Sequence, residues 1–304
     1  MNPQHFYSHG KLLLCGEYAV LDGATGFALP CRKGQDLNVE VVKQAGSGVL
    51  KWKSLDAKGK EWFSAVFQLP HMIVLDSTDG TVATRLVRLL INAKALNPQF
   101  LQEAQDIQVT TRLEFGLDEG LGSSSTLVNN LAKWAGINPY ALHFSAFKGS
   151  GYDIAVANEG KPLLYTMNGT DPKIEVVEWK RNFTDKLYFV HLNKKQDSHE
   201  QIASYKHRIA NTQVAQISRI SRLISVNEDY FEFCLLLELA ENEISLVLGM
   251  PTIKQRLFSD FHGTVKSLGA WGGDYVLATG TDTVDYFTAK GYDRIISYKD
   301  MIAE

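Results

Sequence analysis

Residues 119–130 read EGLGSSSTLVNN, two glycines and three consecutive serines directly before an apolar run with helical spacing. Two kinds of chemistry suit that pattern. The first N–H groups of a helix have no partners inside it, and a serine beside them serves as an N-cap. Equally, glycines let the backbone approach a ligand closely, and serine hydroxyls offer donors or an oxygen for a hard metal ion. The helix end adds a partial positive charge worth ~0.3–1 kcal/mol to a nearby anion, and phosphate is its natural guest. On this stretch alone a cap and a phosphate cradle both stay open. Other chemistries are excluded by what is missing. No lysine follows the serines as a P-loop requires, and no strand ends in GxGxxG. No GxSxG elbow is present for a serine hydrolase. HEQIA at 199–203 starts like a zinc-protease helix but lacks the second histidine, so it reads as an ordinary exposed helix start.

The surrounding pattern supplies the elements that must hold this loop. DIQVTTRLEF alternates through Ile107, Val109, Thr111, Leu113 and Phe115, which predicts a strand before it. Leu127, Leu131 and Trp134 predict a helix after it. Val82, Leu86, Leu89, Leu90 and Ala93 share one face of an earlier helix that Pro98 terminates. DLNVEVVK, GVLKWKSL and EWFSAVFQL predict an antiparallel group. GKLLLCGEYAVLDG reads as a buried strand running into a loop, and GSGYDIAVANEGKPLLYT as a turn, a helix start and an extended stretch. A soft boundary falls around 170–186. Beyond it come a strand (KLYFVHLN), helices over about 198–224 and 228–248, and a third helical segment from Pro251. KSLGAWGGDYVLATG then reads as a glycine-rich turn feeding a strand, and YDRIISY as a last strand. Strands and helices mix without βαβ alternation, so the expected class is α+β in two domains.

Composition narrows the partners. The 304 residues carry 31 basic and 34 acidic side chains, a formal charge of −3, with no Lys/Arg run of the kind that tracks nucleic acid. Three cysteines (Cys15, Cys31 and Cys234) without a CxxC pair suit a reducing compartment. No signal-peptide pattern opens the chain and no uninterrupted apolar span suits a membrane. A cytoplasmic protein is expected, with neither nucleic acid nor membrane as partner.

GKLLLCGEYAVLDG, EGLGSSSTLVNNLA and KSLGAWGGDYVLATG stand in the order and rough spacing of the three motifs of the GHMP kinases, and GSGYDIAVA resembles the segment with the acidic catalytic residue of the mevalonate branch. The chain thus resembles that superfamily over nearly its whole length, in its mevalonate kinase and phosphomevalonate kinase branch. The resemblance implies an α+β fold with mixed and antiparallel sheets. Residues 1–178 would form an ATP-binding domain and 179–304 a ferredoxin-like domain, with the acceptor in a cleft between them. It implies ATP and Mg²⁺ as cofactors. Gly120, Gly122, Ser123, Ser124 and Ser125 would wrap the phosphates, with the Ser124 hydroxyl on Mg²⁺. Asp153 would lie beside the acceptor hydroxyl, and Lys11 would reach toward that hydroxyl and the moving phosphoryl group. Glu17 would stand near the site, and Gly272, Gly273 and Asp274 would close on the nucleotide. Taken singly, Lys11 reads as a solvated lysine at a strand start, and Asp153 as a turn or cap residue.

The sequence also departs from the family pattern. Ser8-His9 replaces an Ala-Pro pair, which is expected to alter only how the strand begins. Asp118 and Glu119 put two carboxylates beside a phosphate loop, where they repel a nucleotide unless they point away or help hold metal. No acidic residue stands on the helix before Asp153. His143 lies near that place, but nitrogen suits Mg²⁺ poorly, so it reads as a packing residue. Trp271 replaces a small residue in the third motif. Lys148, Lys194, Lys195 and Arg208 are candidate partners for a phosphorylated substrate and read equally well as solvated surface charges. The implied activity is phosphoryl transfer from ATP to mevalonate or 5-phosphomevalonate. The alternatives are a nucleotide- or metabolite-binding protein that has lost turnover, and an ATP-dependent decarboxylase of the diphosphomevalonate type.

Overall fold

The computed structural model describes residues 3–43, 46–102, 105–193, 209–269 and 273–303. It falls into two compact units. The first comprises Met1–Gly10, Lys33–Leu117 and Gly122–Asn158; the second comprises Lys11–Arg32, Asp118–Leu121 and Glu159–Glu304. The class is α+β, as expected. Two long strands, β1 (Gln4–Cys15) and β2 (Thr25–Lys43), pair with each other and contribute residues to both units.

In the first unit, β3 (Val49–Leu55), β4 (Glu61–Gln68), β5 (Ile73–Ser77) and β6 (Asp106–Leu113) join β2 in the order β5-β4-β3-β6-β2. β3 and β4 pair antiparallel as expected, and β5, a strand the sequence reading did not single out, adds antiparallel to β4. The expectation that β2 continues this group is corrected. β6 lies between β2 and β3, antiparallel to β2 and parallel to β3, with Trp52 opposite Val109. Helix α1 (Gly80–Leu96) lies in the connection before β6, and a parallel pairing needs such a long crossover. Alternation tells which face of a strand is buried, not which strand lies beside it.

That buried face is consistent along the sheet. Leu37, Val39, Leu50, Trp52, Phe63, Phe67, Ile107 and Val109 pack in one core with Leu86, Leu89, Leu90 and Ala93 of α1. Helix α2 (Ser123–Ala135) adds Val128, Leu131 and Ala132, while Leu127 and Trp134 pack from its flank. Helices α3 (Pro139–Ala146) and α4 (Tyr152–Glu159) complete this unit, contributing Leu142 and Ile154 to the same core.

In the second unit, the start of β2 pairs with β7 (Leu163–Thr166), which pairs with β8 (Lys173–Val176). A separate antiparallel sheet has the order β10 (Val265–Leu268), β11 (Tyr275–Thr279), β9 (Leu187–His191), β12 (Ile295–Ser297). Among the described residues of this unit the α-helices are α5 (Asn211–Val226), α6 (Tyr230–Leu248), α7 (Ile253–Leu257), α8 (Thr283–Ala289) and α9 (Tyr298–Met301). α6 matches the helix expected over 228–248; Asp229 caps its start, and Gly249 ends it in the left-handed region. The described part of the helix expected over 198–224 is α5, whereas 199–203, Lys194, Lys195 and Arg208 lie outside the described residues. The last strand is shorter than YDRIISY suggests, because Ser297 caps a helical turn beginning at Tyr298. Val190, Phe258, Phe261, Val276 and Phe287 form the core around this sheet. Among the described residues, no helix is long and apolar enough to cross a membrane.

Candidate active site

The loop before α2 bears on one side of the choice left open by the sequence. Its N-cap is Gly122, in the left-handed region at φ 93°, and no side chain caps the helix. α1, α3 and α6 each have an Asp or Asn N-cap whose carboxylate or amide oxygen accepts first-turn N–H groups. At α2 the serine hydroxyls do something else. Ser125 is buried and donates to the Gly122 carbonyl at 2.9 Å, while Ser124 is exposed. The first-turn amides of a 13-residue helix are thus left without a side-chain cap, the arrangement that suits an anion. The side-chain cap reading is overturned.

The loop's other half belongs to the second unit. Lys11 holds it twice: its backbone N–H donates to the Leu121 carbonyl at 2.9 Å, and its ammonium donates to the Gly120 carbonyl at 2.8 Å. Gly120 has φ +65°, and a Cβ built there falls 1.8 Å from Asp274 Oδ2. Glycine is needed at that position for both conformation and space. Lys11, Glu119, Gly120, Leu268, Asp274 and Tyr275 line one small pocket. Gly120→Ala is therefore expected to destabilise the fold by about 1–3 kcal/mol from backbone strain alone, with displacement of Asp274 in addition. Thermal melting checks this, and an unchanged transition contradicts it.

Asp118 and Glu119 do not stand as a bare acidic pair. Arg294 approaches Asp118 at 3.6 Å and Glu119 at 3.9 Å, and the buried Tyr275 hydroxyl donates to Glu119 Oε2 at 3.2 Å. The expected repulsion is reduced by a cation that the motif reading missed. Burial and the neighbouring Glu119 carboxylate raise the Tyr275 phenol above the ordinary tyrosine value.

Glu17 lies in the interior of the second unit. Its side chain is fully buried and paired with the equally buried Lys266, the first residue of KSLGAWGGDY. Lys266 also donates to the Ser267 carbonyl at 2.9 Å and lies 3.8 Å from Glu241. Glu241 in turn accepts from the Ser267 N–H and hydroxyl at 3.1 and 3.0 Å. Burial pushes the Glu17 carboxyl up to about 7 against the pull of Lys266. Burial alone would lower Lys266, but Glu17 and Glu241 outweigh it and hold the ammonium above its ordinary value.

In the first unit, Asp153 sits half-buried in the first turn of α4, where its Oδ1 accepts the Ile154 N–H at 3.0 Å. The serine turn of α2 belongs to the same unit, and Asn129 of α2 donates to the Ala157 carbonyl of α4 at 2.8 Å. His143 is buried, its ring centroid 5.0 Å from that of Phe144 and 5.9 Å from that of Phe147, as a packing residue should be. Lys148 is exposed. Gly273 is buried beside Asp274, whereas Trp271 and Gly272 lie outside the described residues.

No protein-family model matches the sequence, and no curated protein matches it either. Solved structures do. The mevalonate kinase of Methanococcus jannaschii superposes with a TM-score of 0.69 at 14% identity, covering 97% of each chain. The Lin0012 protein of Listeria innocua gives 0.72 at 16% identity over 97% of this chain and 99% of that one. The Streptococcus pneumoniae phosphomevalonate kinase, solved in complex with phosphomevalonate and AMPPNP, gives 0.69 at 14% identity over 95% of each. The fold is that of the GHMP kinases.

Proposed function

We propose that this chain is an ATP- and Mg²⁺-dependent kinase that phosphorylates a hydroxyl or phosphate oxygen of a small metabolite, with mevalonate and 5-phosphomevalonate as the first acceptors to test. The observation that carries the reading is the N-terminus of α2, a glycine-capped first turn of three serines in a chain with the GHMP-kinase fold. In this reading the backbone around Gly120, Gly122, Ser123, Ser124 and Ser125 grips the ATP phosphates. Asp274, held against Gly120, and Gly273 beside it help shape the loop.

In this reading Mg²⁺ would be held chiefly through the nucleotide phosphates rather than in a protein cage. Among the described residues, no group of three or more His, Cys, Asp or Glu is placed to hold a metal. Mg²⁺ characteristically uses few protein ligands plus substrate phosphates, and the exposed Ser124 hydroxyl is the candidate. When bound, the ion supplies neutralisation of charge on the phosphate oxygens. The chain's own residues do the rest. Asp153 orients the acceptor hydroxyl or takes its proton, and Lys11, whose ammonium has three donors, stabilises the transferred phosphoryl oxygens. Phosphoryl transfer has a loose transition state, so positioning and charge account for most of the catalysis.

ADP release with a panel of alcohols and phosphorylated alcohols tests this. Acceptor-dependent ADP release supports the kinase. CO₂ release indicates the decarboxylase, and saturable ATP binding without turnover for any acceptor indicates a binding protein. Ser124→Ala is expected to raise the Mg²⁺ requirement at fixed ATP, by up to about 1.5–3 kcal/mol for a contact to a charged group. An unchanged metal titration rejects the ligand assignment.

A further inference from the structure

We propose that a buried polar network centred on Ser8, Asn129 and Asn130 positions the helix carrying Asp153 relative to the serine turn of α2. The inference rests on the kinase reading above for its catalytic meaning, but its structural content stands in one unit of the chain. All three residues are buried, the two asparagines fully.

Ser8 of β1 is the hub. Its hydroxyl donates to Asn130 Oδ1 at 2.7 Å and accepts from Asn129 Nδ2 at 2.9 Å. Asn129 Nδ2 also donates to the Ala157 carbonyl in α4 at 2.8 Å, so both of its amide protons are used. Asn130 Nδ2 donates to the Gln35 carbonyl at 2.8 Å. Gln35 Oε1 then accepts from the Thr126 hydroxyl at 2.7 Å. That hydroxyl has one proton and faces two further acceptors, the carbonyls of Gly122 and Ser123 at 3.1 and 3.0 Å. With the Thr126 hydroxyl on Gln35 and the Thr126 N–H donating to the Gly122 carbonyl at 3.0 Å, the path runs from the phosphate-loop glycine through Thr126, Gln35, Asn130, Ser8 and Asn129 to the helix that carries Asp153.

A core built only for stability would place aliphatic side chains here, as Val128, Leu131 and Ala132 do beside them. Buried amides are costly unless satisfied, and among the described residues Asn129 Oδ1 has no hydrogen-bond partner. What the network adds is direction. Each bond fixes a distance and an angle between backbone segments, which apolar packing does not. The serine at position 8 is thus more than a change in how β1 begins. It is the atom on which both asparagines meet.

The test compares Asn129→Leu, Ser8→Ala and Ser8→Thr with the wild-type chain, by steady-state kinetics, ATP-analogue binding and amide hydrogen exchange. For Asn129→Leu the expected result is a loss of kcat of roughly 10- to 100-fold, as for a misplacement of about 1 Å, with analogue affinity within about twofold. Exchange protection should fall in 152–157 while that of α2 is kept. Ser8→Ala, the milder change, should lose less in the same direction, and Ser8→Thr should retain most of the activity. Wild-type kcat in Asn129→Leu overturns the proposal, as does an equal loss of kcat, nucleotide affinity and protection throughout the unit. If the wild-type chain turns over no acceptor, the kinase reading fails separately. The exchange pattern alone then decides the positioning claim: selective loss in 152–157 supports it, and unchanged protection there overturns it.

Discussion

Replacing Asp153 with asparagine is expected to lower kcat by about 10²–10³-fold, the loss of about 2.7–4 kcal/mol that accompanies removal of a preorganised electrostatic group, while leaving ATP affinity near wild-type. The substitution is isosteric. Asp153 Oδ1 accepts the Ile154 N–H at the start of α4, and an asparagine carbonyl oxygen makes the same bond, so the helix start is preserved. What disappears is the negative charge and the ability to take up the acceptor proton. The nucleotide contacts are assigned to the α2 turn and the Gly120 loop, so binding of an ATP analogue should not change. ADP release and analogue titration on the same preparation check both halves. Wild-type turnover in Asp153→Asn removes this residue from its role.

The second large effect is on stability. Lys266→Met is expected to cost up to about 3–5 kcal/mol, because removing one partner of a buried ion pair leaves Glu17 either charged without its counter-ion or forced to take up a proton. Lys266 is completely buried between Glu17 and Glu241, and methionine keeps the length of the chain but not the cation. Against a total stability of about 5–15 kcal/mol, that is a large share. Urea unfolding measures it, and a wild-type midpoint contradicts it. Adding Glu17→Gln to Lys266→Met should recover part of the loss, since one orphaned carboxylate is gone.

The same cluster carries a pH dependence. Burial raises Glu17 to about 7 from 4.5, so the folded chain holds this proton more tightly than the unfolded chain does. The contribution is fully present below about pH 4.5 and is lost as pH rises through about 7. The stability of wild-type relative to Glu17→Gln should therefore decline between pH 5 and 8. A difference independent of pH speaks against the raised value.

Much of this was legible in the sequence because it depends on local pattern. The alternation through Ile107, Val109 and Leu113 buries those side chains, as does the 3.6-residue spacing of Leu86, Leu89, Leu90 and Ala93. Gly120 and Gly122 stand where only glycine fits comfortably. What the pattern did not carry is long-range. The insertion of β6 between β2 and β3 depends on a crossover, not on any single strand. Arg294 meets Asp118 and Glu119 from far along the chain, and nothing near them in sequence announces it. Glu17 did leave a trace, since it is a lone carboxylate within an apolar run, LLLCGEYAVL, whereas Glu241 is one of three glutamates in LLLELAENEISL and is not singled out by its sequence. A lone charge of this kind asks for a buried cation, and Lys266 answers. Asn129 and Asn130 left the same kind of trace, two amides on a helix otherwise facing the core.

The most direct test is the structure of the protein with Mg²⁺ and AMPPNP. The polyphosphate is predicted to lie over the first turn of α2, on the amides following Gly122, with the metal at Ser124. Density for that tail at any other place, with the α2 turn left bare, would contradict the assignment of this loop and the activity inferred from it.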